Sequence, residues 1–186
     1  MGTRGITEVI YGGKTVVAQY GQWDHYPSGQ GITALNFLAD PGNVEKLKAG
    51  LVKNVEYPTT EALDLIYDAY RNENGMMNTE QGDSFNKDYP SLTRDTGASI
   101  LEVIAESTGP VPLYLHDDFK EDKLFCEGIF IVNLDEETFT TIYNRYDNDD
   151  NEDTLTLTFD ELRSISQDEY LEKAKCGVYQ FNQLTA

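Results

Sequence analysis

Two adjacent glycines, Gly12 and Gly13, split the N-terminal stretch "ITEVIYGGKTVVAQY" (6–20) into two runs rich in β-branched and aromatic residues. A two-residue connection between strands needs positive φ at its centre, which glycine adopts without steric cost. The stretch therefore predicts an antiparallel hairpin with strands over 5–11 and 14–20. "QYGQWDHYPSGQG" (19–31) follows directly, so it leaves the second strand close to where the first one starts. That geometry brings Thr3 and Arg4 toward Tyr20, Gln22, Trp23, Asp24 and Tyr26.

Further along, Ile32, Leu35, Phe37 and Leu38 predict a short helix. Val44, Leu47 and Leu51 recur at the spacing of one helical face, with Asn43 as N-cap. Ala62, Leu63, Ile66 and Tyr70 predict another helix, capped by Thr60. Residues 71–95 are polar, rich in Gly and Asn and without period, and read as a long loop or insertion. "TGASILEVIAES" returns to helical spacing, with Asp95 or Thr96 as cap and Gly109-Pro110 as stop. "PLYLHDD" reads as a short edge segment and "LFCEGIFIVNLD" as a central strand, apolar on both faces. "TFTTIYNRY" and "TLTLTF" are two further strands, "DELRSI" and "QDEYLEKAK" short helices, and "GVYQFNQL" a last strand or a tail. Strands and helices are segregated rather than alternating. The fold class is therefore α+β: a mainly antiparallel sheet with an N-terminal hairpin and helices packed on one face. No linker divides the chain, so 1–186 is expected to form a single domain.

Charge narrows the partners. With 33 acidic and 14 basic side chains the net charge is −19, which opposes direct binding to nucleic acid and to anionic membrane surfaces. An acidic surface serves solubility, a basic host protein as partner, or mimicry of nucleic acid. No apolar run is long enough to span a bilayer, and no N-terminal run has the signal-peptide pattern. Ile6 breaks the myristoylation pattern of "MGTRGI". Cys126 and Cys176 make neither a disulfide framework nor a CxxC metal site and read as packed, reduced thiols of a cytoplasmic protein.

Catalytic and metal signatures are weak. Asp147, Asp149 and Asn151 match the first calcium-loop positions, but Glu152 replaces the required glycine and Thr158 the bidentate glutamate. His25 and His116 build no zinc motif, and His116 with Asp117 and Asp118 reads as a surface turn. Phosphate-loop, dinucleotide and nucleophile-elbow motifs are absent; Gly13-Lys14-Thr15 opens a strand, not a helix. No metal and no cofactor is expected. The remaining constellation is Arg4, Tyr20, Gln22, Trp23, Asp24 and Tyr26, with Arg94 and Asp95 from the start of a helix. One reading is a recognition site, in which a guanidinium holds an anionic or nucleotide-like ligand and an aromatic stacks on its ring. The other is an Arg4–Asp24 ion pair pinning the hairpin, with Trp23 and Tyr26 as core anchors.

"TRG" at 3–5, "YGQWDHYPSGQG" at 20–31, "LTRDTGASIL" at 92–101 and "CEGIFIVNLDEETF" at 126–139 occur in that order. Together they resemble a family of small, uncharacterised proteins of bacteriophages, prophages and mobile elements, marked by an N-terminal TR(S/G) and a WDGYP..G motif. The motif positions here are Thr3, Arg4, Tyr20, Trp23, Asp24, Tyr26, Pro27, Gly29, Arg94 and Asp95. Gln22 stands where the family commonly has His, and His25 where it commonly has Gly. The resemblance implies the cytoplasm of a bacterial host cell and a phage or mobile-element setting; it implies no activity. The leading expectation is a non-enzymatic accessory protein that antagonises host defence by binding a host protein or sequestering a nucleotide-like ligand. The alternatives are a small hydrolase or transferase pairing Asp24 with His25 or Asp95, aided by Arg4 and Arg94, and a homo-oligomeric assembly protein with tyrosine-rich interfaces.

Overall fold

In the computed structural model the described residues are 2–143 and 153–174. The hairpin forms as expected, with β1 at Gly5–Tyr11 and β2 at Lys14–Gly21. Gly12 and Gly13 both take positive φ, 64° and 72°. Their amides donate to the Asp135 carboxylate at 2.9 and 2.8 Å, which ties this turn to a distant one. The hairpin carries a register shift after Val9, so Val17 pairs with Val9 and Thr15 with Ile10. The extra residue, Val16, is buried beside Val17 rather than turned to solvent, as a bulge permits.

β5 (Gly128–Asn133), β6 (Thr138–Tyr143) and β7 (Asp153–Thr158) complete a sheet ordered β2-β1-β5-β6-β7. Three of its pairings are antiparallel, and β1 runs parallel to β5. The long apolar run around β5 is thus the central strand. Val9, Phe130, Val132, Phe139 and Leu157 face the main core. Over them pack α1 (Ile32–Leu38), α2 (Pro41–Lys53), α5 (Ile100–Ala105), α6 (Phe159–Leu162) and α7 (Gln167–Lys173). Ile6, Ile129 and Cys126 are buried on the opposite face, covered by Phe119 of the short turn Asp117–Glu121. The buried Glu8 anchors that turn through Lys120 at 2.9 Å. The fold is α+β with a mainly antiparallel sheet.

Several local expectations are corrected. Asp40, not Asn43, caps α2: its carboxylate accepts from the Gly42 amide, and Pro41 opens the helix. Thr59 rather than Thr60 caps α3 (Thr60–Asp68). Neither Asp95 nor Thr96 caps by its side chain; Thr96 is already helical and its hydroxyl bonds the Pro90 carbonyl. The segment 71–95 is not one long loop. It contains α4 (Thr79–Asp88), opened by a capping box between Asn78 and Gln81. Phe85 of α4 is buried against Tyr67, Tyr70 and Tyr89, an aromatic cluster outside the main core.

Only Pro112 of "PLYLHDD" is strand: with Val111 it forms the two-residue β4 (Val111–Pro112), which pairs in parallel with β3 (Val55–Glu56) away from the main sheet. The outer edge of β2 is covered piece by piece. The Tyr57 hydroxyl donates to Val16 O, the His116 amide to Ala18 O, and the Gln22 amide just past the strand to Arg94 O. An edge strand shielded this way is no template for further pairing. The acidic run with Asp147, Asp149 and Asn151, the second thiol Cys176 and the expected last strand or tail at 177–184 lie outside the described residues. Among the described residues no helix is long and apolar enough to cross a membrane.

Candidate functional site

The stretch after β2 divides its residues between core and surface in the reverse of the ion-pair reading. Gly21, Gly5 and Gly128 stand side by side across β2, β1 and β5. Three missing side chains in a row leave a slot on the core face, and His25 fills it, its ring over Gly21 and Gly5 and its carbonyl over Gly128. A Cβ on Gly21 would meet His25 Cε1 at 2.0 Å, and one on Gly5 would meet Cδ2 at 2.4 Å. The ring is 0% exposed and stacks on Phe130 at 5.8 Å. Among the described residues both imidazole nitrogens, and the buried Thr7 hydroxyl on β1, lack hydrogen-bond partners. Burial pushes the His25 pKa down to about 4, and the Trp23 carbonyl pulls the other way without reaching hydrogen-bond geometry. The imidazole therefore bonds neither Asp24 nor Asp95, and the expected pairing of Asp24 with His25 does not form. The left-handed residue of this turn is Asp24, φ 57°, rather than His25.

Trp23 and Tyr26 are the exposed partners of this arrangement, 46% and 39% accessible, not core anchors. The Trp23 indole donates to the Asp95 carboxylate at 2.9 Å, and its ring covers Gly2. Tyr26 meets Tyr143 edge-on at 6.1 Å. Asp24 is exposed, and its backbone carbonyl accepts from Gln30 at 2.8 Å. Gln30 in turn accepts from the Ala98 amide at 2.7 Å, which locks the loop onto the start of α5.

Arg4 does not pair with Asp24. Among the described residues neither Arg4 nor Arg94 has a carboxylate within ion-pair distance. The Arg4 guanidinium instead lies over the Phe125 ring, 4.3 Å from its centre. Tyr20 is the meeting point. Its hydroxyl donates to Gln22 Oε1 at 2.7 Å, and its ring packs on Phe119 at 4.9 Å. Burial raises the Tyr20 pKa, while the charges of Arg4 and then Arg94 act to lower it. The Arg94 carbonyl accepts from the Gln22 amide at 2.7 Å, so its backbone lies beside this turn. Glu127 stands at the margin; burial lifts its pKa and Arg4 opposes the rise. Among the described residues Arg4 and Arg94 carry no ion pair, in a chain of net charge −19.

Alongside β2 lies a cavity of about 250 Å³, walled by Leu63, Asp64 and Tyr67 of α3, by Ser91 and Leu92, and by Tyr114 and His116. His116 opens the turn Asp117–Glu121, as expected, but its own ring is half-buried. Burial lowers its pKa, Asp117 raises it, and its ring touches Tyr114 at 4.7 Å and Tyr20 at 5.8 Å.

The fold brings together Arg4, Tyr20, Gln22 and Arg94, and beside them Trp23 bonded to Asp95. Asp24 forms no ion pair with Arg4, and Tyr26 packs on Tyr143. Sequence reasoning missed Phe125, Phe119 and His116. Phe125 sits in the run read as strand, but β5 starts only at Gly128. Its contact with Arg4 depends on the parallel pairing of β1 with β5, which leaves no local signal. Comparison with protein-family models, curated proteins and solved structures finds no match to this chain.

Proposed function

We propose that this protein is a non-enzymatic accessory protein of phage type that captures a small phosphate-bearing anion at Arg4 and Arg94. The resemblance to phage and prophage proteins supports the setting, sequestration of a ligand in a bacterial host as an antagonist of its defence. The observation that carries the reading is the pair of arginines at the exit of β2, Arg4 over Phe125 and Arg94 docked through its carbonyl on Gln22, neither within ion-pair distance of a carboxylate among the described residues. Guanidinium is weakly hydrated and presents a planar fork of donors matched to phosphate oxygens. Phe125 holds the Arg4 plane, and the Tyr20–Gln22 bond fixes a further polar group beside it.

Titration calorimetry with inorganic pyrophosphate at low salt tests this. Saturable binding is expected, weakened about tenfold or more by Arg4→Ala or by Arg94→Ala, the loss of about 1.4 kcal/mol or more. Equal binding by the wild type and the double variant would overturn it.

A further inference from the structure

The arginine pair and the cavity meet at His116, which lines the cavity and whose ring lies 5.8 Å from that of Tyr20. Along β2 and its exit, the Ala18 carbonyl holds the His116 amide and the Gln22 amide holds the Arg94 carbonyl, with Tyr20 between them. Four residues of strand at about 3.3 Å each put those anchors about 13 Å apart. On the opposite side, Leu92 walls the cavity and Arg94 follows two residues later. The intervening Thr93 is extended, φ −93° and ψ 149°, so the side chains of Leu92 and Arg94 leave the chain on the same side.

The cavity's lining differs from that of the arginine site. Tyr67, Tyr114 and His116 supply aromatic surface, Leu63 and Leu92 apolar surface. The Asp64 carboxylate can only accept hydrogen bonds, and the Ser91 hydroxyl can do either. A flat ring that donates along one edge suits this lining; a phosphate does not. At about 250 Å³ the space lies just below the usual range of ligand pockets, about 300 Å³ upward, and takes one ring system rather than a whole dinucleotide.

We infer that the cavity is the second half of the same site and takes the heterocycle of a nucleoside phosphate whose phosphate lies at Arg4 and Arg94. In such a ligand a pentose joins the heterocycle to the phosphate. Asp64 then favours a base with adjacent N–H donors, as guanine has, over one presenting acceptors. This inference rests on the anion-binding reading, and the following experiment separates the two.

Guanosine 5′-monophosphate, ribose 5-phosphate and guanosine are titrated into the full chain by calorimetry, with the His116 imidazole followed by NMR. The nucleotide is expected to bind at least tenfold more tightly than ribose 5-phosphate and to shift the His116 signals. Thr60 is exposed at the cavity mouth, so Thr60→Trp fills it from outside the core. This variant is expected to remove the nucleotide's advantage while leaving ribose 5-phosphate binding intact, and Arg4→Ala to weaken both. Equal affinity for nucleotide and ribose 5-phosphate, with His116 unmoved, would overturn the cavity assignment and leave the arginine site standing. Guanosine binding as tightly as the nucleotide, untouched by Arg4→Ala, would overturn the two-part site. Absence of arginine-dependent binding by any of the three would remove both readings.

Discussion

At the scale of single residues, His25 and the glycines beneath it form one unit. A methyl group on Gly21 has nowhere to go, because the imidazole occupies that space. Gly21→Ala is expected to cost about 1–3 kcal/mol in urea unfolding, the range of an overpacked core. In a His25→Ala background the same change should cost at least about 1 kcal/mol less, a coupling that only direct contact produces. The imidazole also sets a pH dependence. Its folded pKa of about 4 lies below the unfolded value near 6.5, so the unfolded chain takes up the proton first. Stability is complete above pH 6.5 and falls as pH drops toward 4, by about 3 kcal/mol in all. His25→Phe keeps the stack on Phe130 and removes the titration. Unfolding measured between pH 6.5 and 5 should then lose about 2 kcal/mol of slope relative to wild type. An unchanged slope would mean that the ring is protonated inside the fold.

Among the elements, α4 is the most informative. Asn78 and Gln81 carry a full capping box, and that signal is present in "NTEQ". The helix nevertheless shows no readable period, because Phe85 is its only buried residue, packed on tyrosines from other segments. Asn78→Ala should cost about 1 kcal/mol locally. Hydrogen exchange is the measurement: the Gly82 amide, bonded to Asn78 O, should exchange faster while β5 amides keep their protection. The hairpin is the opposite case. Its turn, strands and boundaries were legible because φ > 0 at two successive residues is a local demand that Gly12-Gly13 meets by itself.

For the whole molecule, the net charge of −19 acts in two opposite senses. Self-repulsion of the acidic surface destabilises the compact state and is screened by salt. Raising salt from about 0.01 M to about 0.15 M shortens the Debye length from about 30 Å to about 8 Å. The urea midpoint should therefore rise over that range. Pyrophosphate affinity should fall over the same range, because Arg4 and Arg94 lose their reach. Opposite slopes in one salt series would place the positive patch locally, within a surface that is acidic overall. Parallel slopes would assign the binding to something other than these two arginines.

The sequence by itself determined the hairpin, the α+β class, the central strand and most helix positions, because turn chemistry, apolar period and caps act over a few residues. Caps were legible only to within a few positions: Asp40 and Thr59 were displaced by three residues and one from the residues expected. Only the tertiary structure decided which side of the turn at 22–26 is core. One of the two readings of the sequence set Trp23 and Tyr26 in the core, but the glycine row selects His25, and that row exists only once β1 pairs in parallel with β5 across more than a hundred residues. The same pairing sets Arg4 over Phe125, and the docking of Arg94 on Gln22 brings its backbone beside this turn. Convergence of this kind depends on contacts between segments far apart in the chain, and no local pattern of residues encodes it.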